Sequence, residues 1–141
     1  MRIVIDTNVL RAGVYSANGA SYQLLRSLPR ADVQVILSVT LYLEYQAVLT
    51  RPEHLPPGVT PERMLGFLRR FAGICLPQPI YFLWRPWLRD ADDDMVLELA
   101  VAGAASHIIT FNSTDFAGID AAFGIQVVTP GEFMALLDSR P

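Results

Sequence analysis

Acidic residues stand at places in the chain where a fold could bring them together. Asp6 directly follows the apolar run 3–5, and Asp115 comes four residues after the apolar segment 107–111. Asp94 opens a stretch that leads into that segment. If the two apolar runs are parallel strands, their carboxyl ends meet at one edge of a sheet, where open parallel sheets bind ligands. We therefore expect these three acids to share one site.

A fourth acid, Glu44, lies within an apolar stripe at helical spacing. The stripe comprises Leu41, Tyr45, Val48 and Leu49. A carboxylate on a core-facing stripe is costly unless it is paired or binds a cation. Two explanations stay open, an ion pair with an arginine such as Arg11 or Arg51, or a place in a functional site. We favour the functional explanation.

The acidic run 90–94 also has two interpretations. Acids at the start of a helix interact favourably with the helix dipole, and we accept this explanation for Asp90 and Asp92. Asp94 and Glu98 lie one turn apart on one face of a helix that is otherwise apolar. Asp94 is therefore a candidate ligand, and Glu98 is a residue that could support the site.

Polar residues next to Asp6 and Asp115 could orient these acids. Four such residues are Thr7, Asn8, Thr110 and Asn112. A structural explanation exists for both groups, because Asp6 suits the N-terminus of a helix and residues 112–114 suit a turn. The functional interpretation is that hydrogen bonds from Thr110 and Asn112 hold Asp115 in place.

Four converging carboxylates favour metal chemistry. Like charges a few ångströms apart raise each other's pKa, and a hard divalent cation removes that repulsion. Cys75 is the only cysteine and the two histidines are far apart, so a zinc site is excluded. Mg²⁺ or Mn²⁺ fits a site of Asp and Glu alone, and such ions support phosphodiester hydrolysis without a protein nucleophile.

The composition limits the function classes further. The 141 residues predict a single domain, 1–141, and 52% apolar residues are enough for a core. With a net charge of −3, a nucleic acid must be held by metal or by a local patch rather than by bulk charge. All eleven basic residues are Arg, so mechanisms that need a Lys, such as that of P-loop NTPases, are excluded.

Alternating apolar and amphipathic segments predict an α/β fold. The expected strands are 3–5, 33–37, 107–111 and 125–128, and the expected helices are 22–28, 38–51, 60–73, 90–103 and 129–137. Residues 13–19 and 56–58 are predicted loops, and 76–87 an irregular or edge segment because of its prolines. We expect a three-layer α/β/α arrangement around a parallel sheet of about four to five strands.

The chain shows no pattern typical of export or membrane insertion. Asp6 interrupts the first apolar run too early for a signal peptide, and no apolar run is long enough to span a bilayer. A single cysteine fits a reducing compartment. We expect a cytoplasmic protein without a membrane partner.

Taken in order, these motifs resemble the PIN domain family. The segments that carry the resemblance are 5–10, 43–45, 48–52, 93–100, 109–116 and 128–133. They cover nearly the whole chain, and they are most similar to the subgroup described as toxin components of toxin–antitoxin pairs, the VapC-like ribonucleases.

The resemblance implies a Mg²⁺- or Mn²⁺-dependent endoribonuclease, often a homodimer, that cuts RNA and is held inactive by a protein antitoxin. By this likeness Asp6, Glu44, Asp94 and Asp115 form the acidic quartet, with Asp6 and Asp94 as the principal metal ligands. Many relatives carry a further acid where this chain has Asn112. This departure predicts a weakened second metal position.

Three alternative functions are a PIN fold that does not cut RNA, a phosphatase and a receiver domain. A PIN fold could bind RNA or a protein without cutting, in which case the acids would bind no metal. A phosphatase with Asp6 as nucleophile would need an acid at position 8 and a Lys, and a receiver domain would need the same Lys, so both are poor fits.

Possible RNA contacts are Arg69, Arg70, Trp84, Arg85 and Trp87. A solvated helix face and core aromatics explain them better.

Overall fold

Five short segments form one parallel sheet, in the computed structural model that describes residues 1–80 and 87–140. The strands are β1 (Arg2–Ile5), β2 (Gln34–Leu37), β3 (Leu76–Pro77), β4 (His107–Ile109) and β5 (Gln126–Val128). Their order is β3-β2-β1-β4-β5, and every neighbouring pair is parallel. The α/β class and the five-stranded parallel sheet confirm the predicted fold.

Helices connect the strands and flank the sheet. They are α1 (Thr7–Tyr15), α2 (Ala20–Ser27), α3 (Val39–Leu49), α4 (Pro61–Ile74), α5 (Ala91–Ala102), α6 (Ile119–Phe123) and α7 (Pro130–Asp138), with 3₁₀ turns at Pro52–His54 and Ser113–Phe116. Side chains cap several helix starts, since Ser38 accepts from the amide of Leu41 at 3.1 Å, and Thr129 with Glu132 forms a capping box.

The strand order places a crevice beside β1. Because parallel crossovers are right-handed, the helices that join β1 to β2 and β2 to β3 lie on one face of the sheet. The helix between β3 and β4 returns in the opposite direction and therefore lies on the other face. The reversal occurs between β1 and β4, which pair from Ile3–His107 to Ile5–Ile109. Ligand sites in such sheets lie beyond the carboxyl ends at this point.

The core explains why the strands are so apolar. Ile3, Val4 and Ile5 in β1, with Ile108 and Ile109 in β4, are completely buried. Both central strands are covered on each face, which favours continuous apolar runs over alternation. In the described part of the chain, no helix is both long and apolar enough to cross a bilayer.

Some predicted boundaries were wrong. Residues 13–15 were expected in a loop, but α1 continues to Tyr15 because Gly13 lets α2 approach closely. A Cβ on Gly13 would stand 2.4 Å from the side chain of Leu25. The strand expected at 107–111 ends at Ile109, and the hydroxyl of the next residue, Thr110, bonds the side chain of Asp6. The short helix α6 was not predicted. The predicted edge segment 76–87 does contain the edge strand β3, and its residues 81–86 lie outside the described residues.

Candidate active site

Asp6 is held at the carboxyl end of β1 by three hydrogen bonds. Its amide donates to the carbonyl of Ile109 at 2.9 Å, which continues the pairing of β1 with β4. Its Oδ1 accepts from the amide of Thr7 at 2.8 Å, so it caps α1, and its Oδ2 accepts from the hydroxyl of Thr110 at 2.8 Å. Only 9% of the side chain surface is exposed. The carboxylate is therefore fixed in position by both central strands.

Thr110 is completely buried and links the loop after β4 to this acid. Its amide donates to the carbonyl of Val128, and its Oγ1 accepts from the amide of Asn112 at 3.0 Å. The hydroxyl thus orients Asp6, whereas the sequence had suggested that it orients Asp115. Asn112 contacts Asp115 through its backbone carbonyl, which accepts the amide of Asp115 at 3.0 Å.

Asn8 connects α1 to the same loop. Its Oδ1 accepts from the amide of Phe111 at 3.4 Å. Thr7 contributes its backbone amide to Asp6 and is itself buried. Both residues therefore support the loop that leaves β4 and the acid that leaves β1.

Glu44 is carried to the same edge of the sheet by α3. The next residue, Tyr45, is completely buried and its hydroxyl donates to the carbonyl of Ile5, directly before Asp6. Glu44 itself is half-buried rather than fully core-facing. Neither Arg11 nor Arg51 forms an ion pair with it in the described part of the chain, although the charge of Arg51 still acts on Glu44 from a longer distance.

Burial and the charge of Asp92 raise the pKa of Glu44 against the opposing charge of Arg51, and the charges of Asp6 and Asp90 add to the increase. Burial also raises the pKa of Asp6 against the opposing hydrogen bonds from Thr110 and Thr7, with further increases from Asp92 and Asp115. Glu44, Asp92 and Asp115 are therefore close enough to Asp6 for their charges to interact.

Asp94 has a different environment. Its Oδ1 accepts from the backbone amides of Trp87 at 3.1 Å and Leu88 at 2.7 Å, and 9% of its surface is exposed. This carboxylate ties the start of α5 to the segment before it. Asp90 is the N-cap of α5, with Oδ1 accepting from the amide of Asp92 at 2.8 Å, as expected for a capping acid.

Asp93 is the acid that sequence reasoning missed. Burial raises its pKa to about 7, helped by the charges of Asp6, Asp90, Asp115 and Asp92 in that order. A signal for it was present, because Asp93, Leu97 and Ala100 share one helix face and the last two are completely buried. The acid at the head of that buried stripe is Asp93, one residue before the acid that was chosen.

The remaining predicted residues lie at the edge of this cluster. Asp115 is exposed in the 3₁₀ turn Ser113–Phe116, and its charge contributes to the raised pKa of Asp6 and of Asp93. Glu98 is half-buried on α5, and its side chain makes no hydrogen bond or ion pair with any residue the structure describes. Its supporting role stays a prediction.

Within residues 1–80 and 87–140, no three His, Cys, Asp or Glu side chains stand close enough to form a ready-made metal centre. Asp6, Glu44 and Asp93 nevertheless have raised pKa values, caused by burial and by neighbouring acids. Carboxylate oxygens of this kind are the donors that an oxygen-preferring cation takes, and a cation would relieve their repulsion.

The basic and aromatic residues once considered for RNA contacts are dispersed. Arg69 and Arg70 are exposed on α4, as expected for a solvated helix face. Trp87 was expected in the core, but it is 57% exposed, and its ring forms a T-shaped pair with that of Phe123 at 5.2 Å between centroids. Positions 84 and 85 lie outside the described residues.

The profile of one protein family, described as "PIN domain", matches residues 2–114 of this chain. No curated protein matches the sequence.

Solved structures show the same fold. A chain of VapBC2 from Rickettsia felis, bound to a DNA fragment from their promoter, is 13% identical with a TM-score of 0.61, over 90% of this chain and 97% of that one. VapBC-1 from nontypeable Haemophilus influenzae is 12% identical with a TM-score of 0.60, over 93% and 99%. FitAB bound to the IR36 DNA fragment is 25% identical with a TM-score of 0.57, over 91% and 94%.

Proposed function

This chain belongs to the PIN domain family, and we propose that it is a metal-dependent endoribonuclease that acts as the toxin of a toxin–antitoxin pair. The observation that carries the proposal is the position of Asp6. Thr110 holds it across the central strands at the switch point of the sheet. The charges of Asp92 and Asp115 raise its pKa, and its own charge raises the pKa of Asp93.

We assign the metal to Asp6, Glu44, Asp93 and Asp115, with Mg²⁺ or Mn²⁺ as the cation. When bound, such a cation supplies neutralisation of charge on a phosphoryl oxygen and a more acidic water. Without a bound cation, the negative charges of these acids would repel the phosphates of a polyanion. The chain contains no Lys to take over that role.

The other residues of the site position these acids. Thr110 and the amide of Thr7 orient the two oxygens of Asp6. Asp94, predicted from the sequence as a principal ligand, is proposed instead to hold the start of α5 through the amides of Trp87 and Leu88, so that Asp93 faces the other acids. The variants Asp93→Asn and Asp94→Asn test the two proposed roles, metal binding and positioning of α5, one at a time.

An antitoxin partner is supported by the VapBC and FitAB assemblies to which the chain is similar. A groove of about 480 Å³ between α1, α2 and α4 offers a surface for it. Leu25, Met64 and Phe67 form its apolar part, and Arg26, Arg63 and Arg70 lie around it. None of these arginines forms an ion pair with another described residue, so the groove suits an acidic segment with apolar side chains.

The proposal is tested by incubating a long structured RNA with wild-type protein and with Asp6→Asn, each in Mn²⁺ and in EDTA. Cleavage that needs both Mn²⁺ and the carboxylate of Asp6 supports the nuclease. Binding of RNA without cleavage in either buffer would favour the alternative, a PIN fold that binds without cutting.

We also propose that the chain forms a homodimer, as the resemblance to the PIN family implies. Light scattering coupled to gel filtration tests this, and a monomeric mass would contradict it.

A further inference from the structure

A groove of about 540 Å³ runs along α1 away from the acids. Asn8, Arg11 and Tyr15 line it from α1, and Phe111 lines it from the loop after β4. Two of its lining residues are joined, since Oδ1 of Asn8 accepts from the amide of Phe111 at 3.4 Å, and Asn8 lies two residues after Asp6 in the sequence.

The walls of the groove carry two exposed aromatic rings. The side chain of Tyr15 is 53% exposed and that of Phe111 is 48% exposed. Isolated exposed apolar residues are common on protein surfaces and need no explanation. These two rings, however, face the same concave surface, one from a helix and one from a strand end. Each therefore has a ring face or edge that a flat ligand could contact.

A cation, Arg11, lines the same groove as the two rings. Asn8, Arg11 and Tyr15 follow each other at spacings of three and four, so they share one face of α1. Arg11 is exposed and forms no ion pair with any residue in the described ranges, although Glu53 lines the same groove. Its guanidinium is available for an anionic ligand, and Glu53 disfavours an anion on its own side.

We propose that this groove binds single-stranded RNA, with bases stacked on Phe111 and Tyr15 and a phosphate paired with Arg11. Aromatic platforms interleaved with a cation are the means by which proteins hold single strands without reading their sequence. A local site of this kind also fits a chain whose net charge is −3. The inference rests on the proposed function, because it supplies the path by which a strand reaches the acids.

The test measures binding of a fluorescein-labelled octauridylate by fluorescence anisotropy in EDTA, where no metal-dependent cleavage takes place. Phe111→Leu keeps the apolar bulk of the side chain and removes the ring. We expect this variant to bind the oligonucleotide about tenfold more weakly, which corresponds to the loss of one base–ring stacking interaction. Phe111→Tyr keeps a ring and should bind within about twofold of wild type. An RNA duplex should not compete, because its bases are not available for stacking.

Charge is tested by a matched pair of variants. Arg11→Gln and Arg69→Gln remove the same charge from exposed helix positions, one inside the groove and one on α4. We expect a loss of about tenfold for Arg11→Gln alone, whereas equal losses would show that only net charge matters and would overturn the subsite. Wild-type affinity in Phe111→Leu, equal competition by the duplex, or no binding of octauridylate by the wild type would also overturn it.

The subsite and the nuclease can fail separately. RNA binding that depends on Phe111 and Arg11, in a protein that cuts no RNA in Mn²⁺, retains the subsite and removes the nuclease. Cleavage with an unchanged KM in Phe111→Leu retains the nuclease and removes the subsite.

Discussion

The hydroxyl of Thr110 donates a 2.8 Å hydrogen bond to Oδ2 of Asp6, although the two residues lie 104 positions apart. The bond joins the ends of the two adjacent central strands, β1 and β4. Asp6 also accepts from Thr7 through its other oxygen, so both carboxylate oxygens have a donor. The acid at the switch point of the sheet is therefore held in one orientation before any ligand arrives.

This bond is expected to contribute to stability. Thr110→Val keeps the shape of the side chain and removes the donor, and we expect it to lower the free energy of unfolding by about 2 kcal/mol, as for a buried hydrogen bond to a charged group. Thr110→Ser keeps the hydroxyl and should lose less. Urea denaturation of the three proteins measures this, and a valine variant as stable as the serine variant would contradict it.

Asp93 and Asp94 should respond oppositely to substitution. Asp93→Asn removes a repelled charge and should raise the melting temperature in EDTA, because Asp6, Asp90 and Asp115 all disfavour the ionised form. Asp94→Ala removes the acceptor for the amides of Trp87 and Leu88 and should lower it. In Mn²⁺ the Asp93 variant should lose RNA cleavage. Shifts of the melting temperature in the same direction would contradict the division of roles between these acids.

His107 should make stability depend on pH. Burial, followed by the charge of the N-terminal amine, lowers its pKa below the ordinary value of 6.5. Its Nδ1 lies 2.7 Å from Oγ of Ser106, its ring packs edge-on against Phe133, and its Nε2 is buried without a partner among the described residues. Well above pH 6.5 the ring is neutral in both the folded and the unfolded state and has no effect on stability. As the pH falls below this value, the unfolded chain binds the proton first, so stability decreases until the folded-state pKa is passed.

The comparison with His107→Gln isolates this effect, since the other titrating groups are common to both proteins. Urea denaturation between about pH 7.5 and 5.5 spans the ordinary His pKa and should show a steeper loss of stability for the wild type. Equal slopes would mean that His107 is protonated as readily in the folded state as in the unfolded one.

Cys75 should be inert in the folded protein. Burial raises the pKa of its thiol to about 12, and Sγ donates to the carbonyl of Phe71 at 3.3 Å. Reactive cysteines require an accessible thiolate. A thiol reagent at about pH 8 should therefore modify no cysteine in the native protein and one cysteine per chain in denaturant. Fast modification without denaturant would contradict the buried position.

The strands could be predicted because burial on both faces requires uninterrupted apolar runs, as at Ile3, Val4 and Ile5. The helix starts at Ser38 and Thr129 could be predicted equally well, because each capping side chain bonds an amide only three residues further along the chain. The helix Ile119–Phe123 was not, because five residues are too short for a periodic pattern. Its ends depend on Gly118 and Gly124, both with positive φ.

The candidate site that the sequence predicts and the one that we propose from the structure differ in one acid, Asp93 in place of Asp94. The order of the apolar runs in the sequence indicates the topology of the sheet. The topology in turn places the acids that follow β1 and β4 at the same edge of the sheet. The choice between Asp93 and Asp94 depends on the rotation of α5 about its axis, and neighbouring helix positions differ by about 100°. That rotation is set by the burial of Leu97 and Ala100 and by the amides of Trp87 and Leu88, contacts that only the folded chain reveals.

The central claim is that Asp6 and its neighbouring acids bind a divalent cation, and calorimetric titration of Mn²⁺ into the protein tests it most directly. The account predicts saturable binding to the wild type and binding at least about tenfold weaker to Asp6→Asn, because even residues outside the ligand set cost about that much at metal sites. Glu132→Gln, an exposed acid in the capping box of α7, should bind Mn²⁺ like the wild type. Absence of saturable binding, or equal affinity for wild type and Asp6→Asn, would contradict the account.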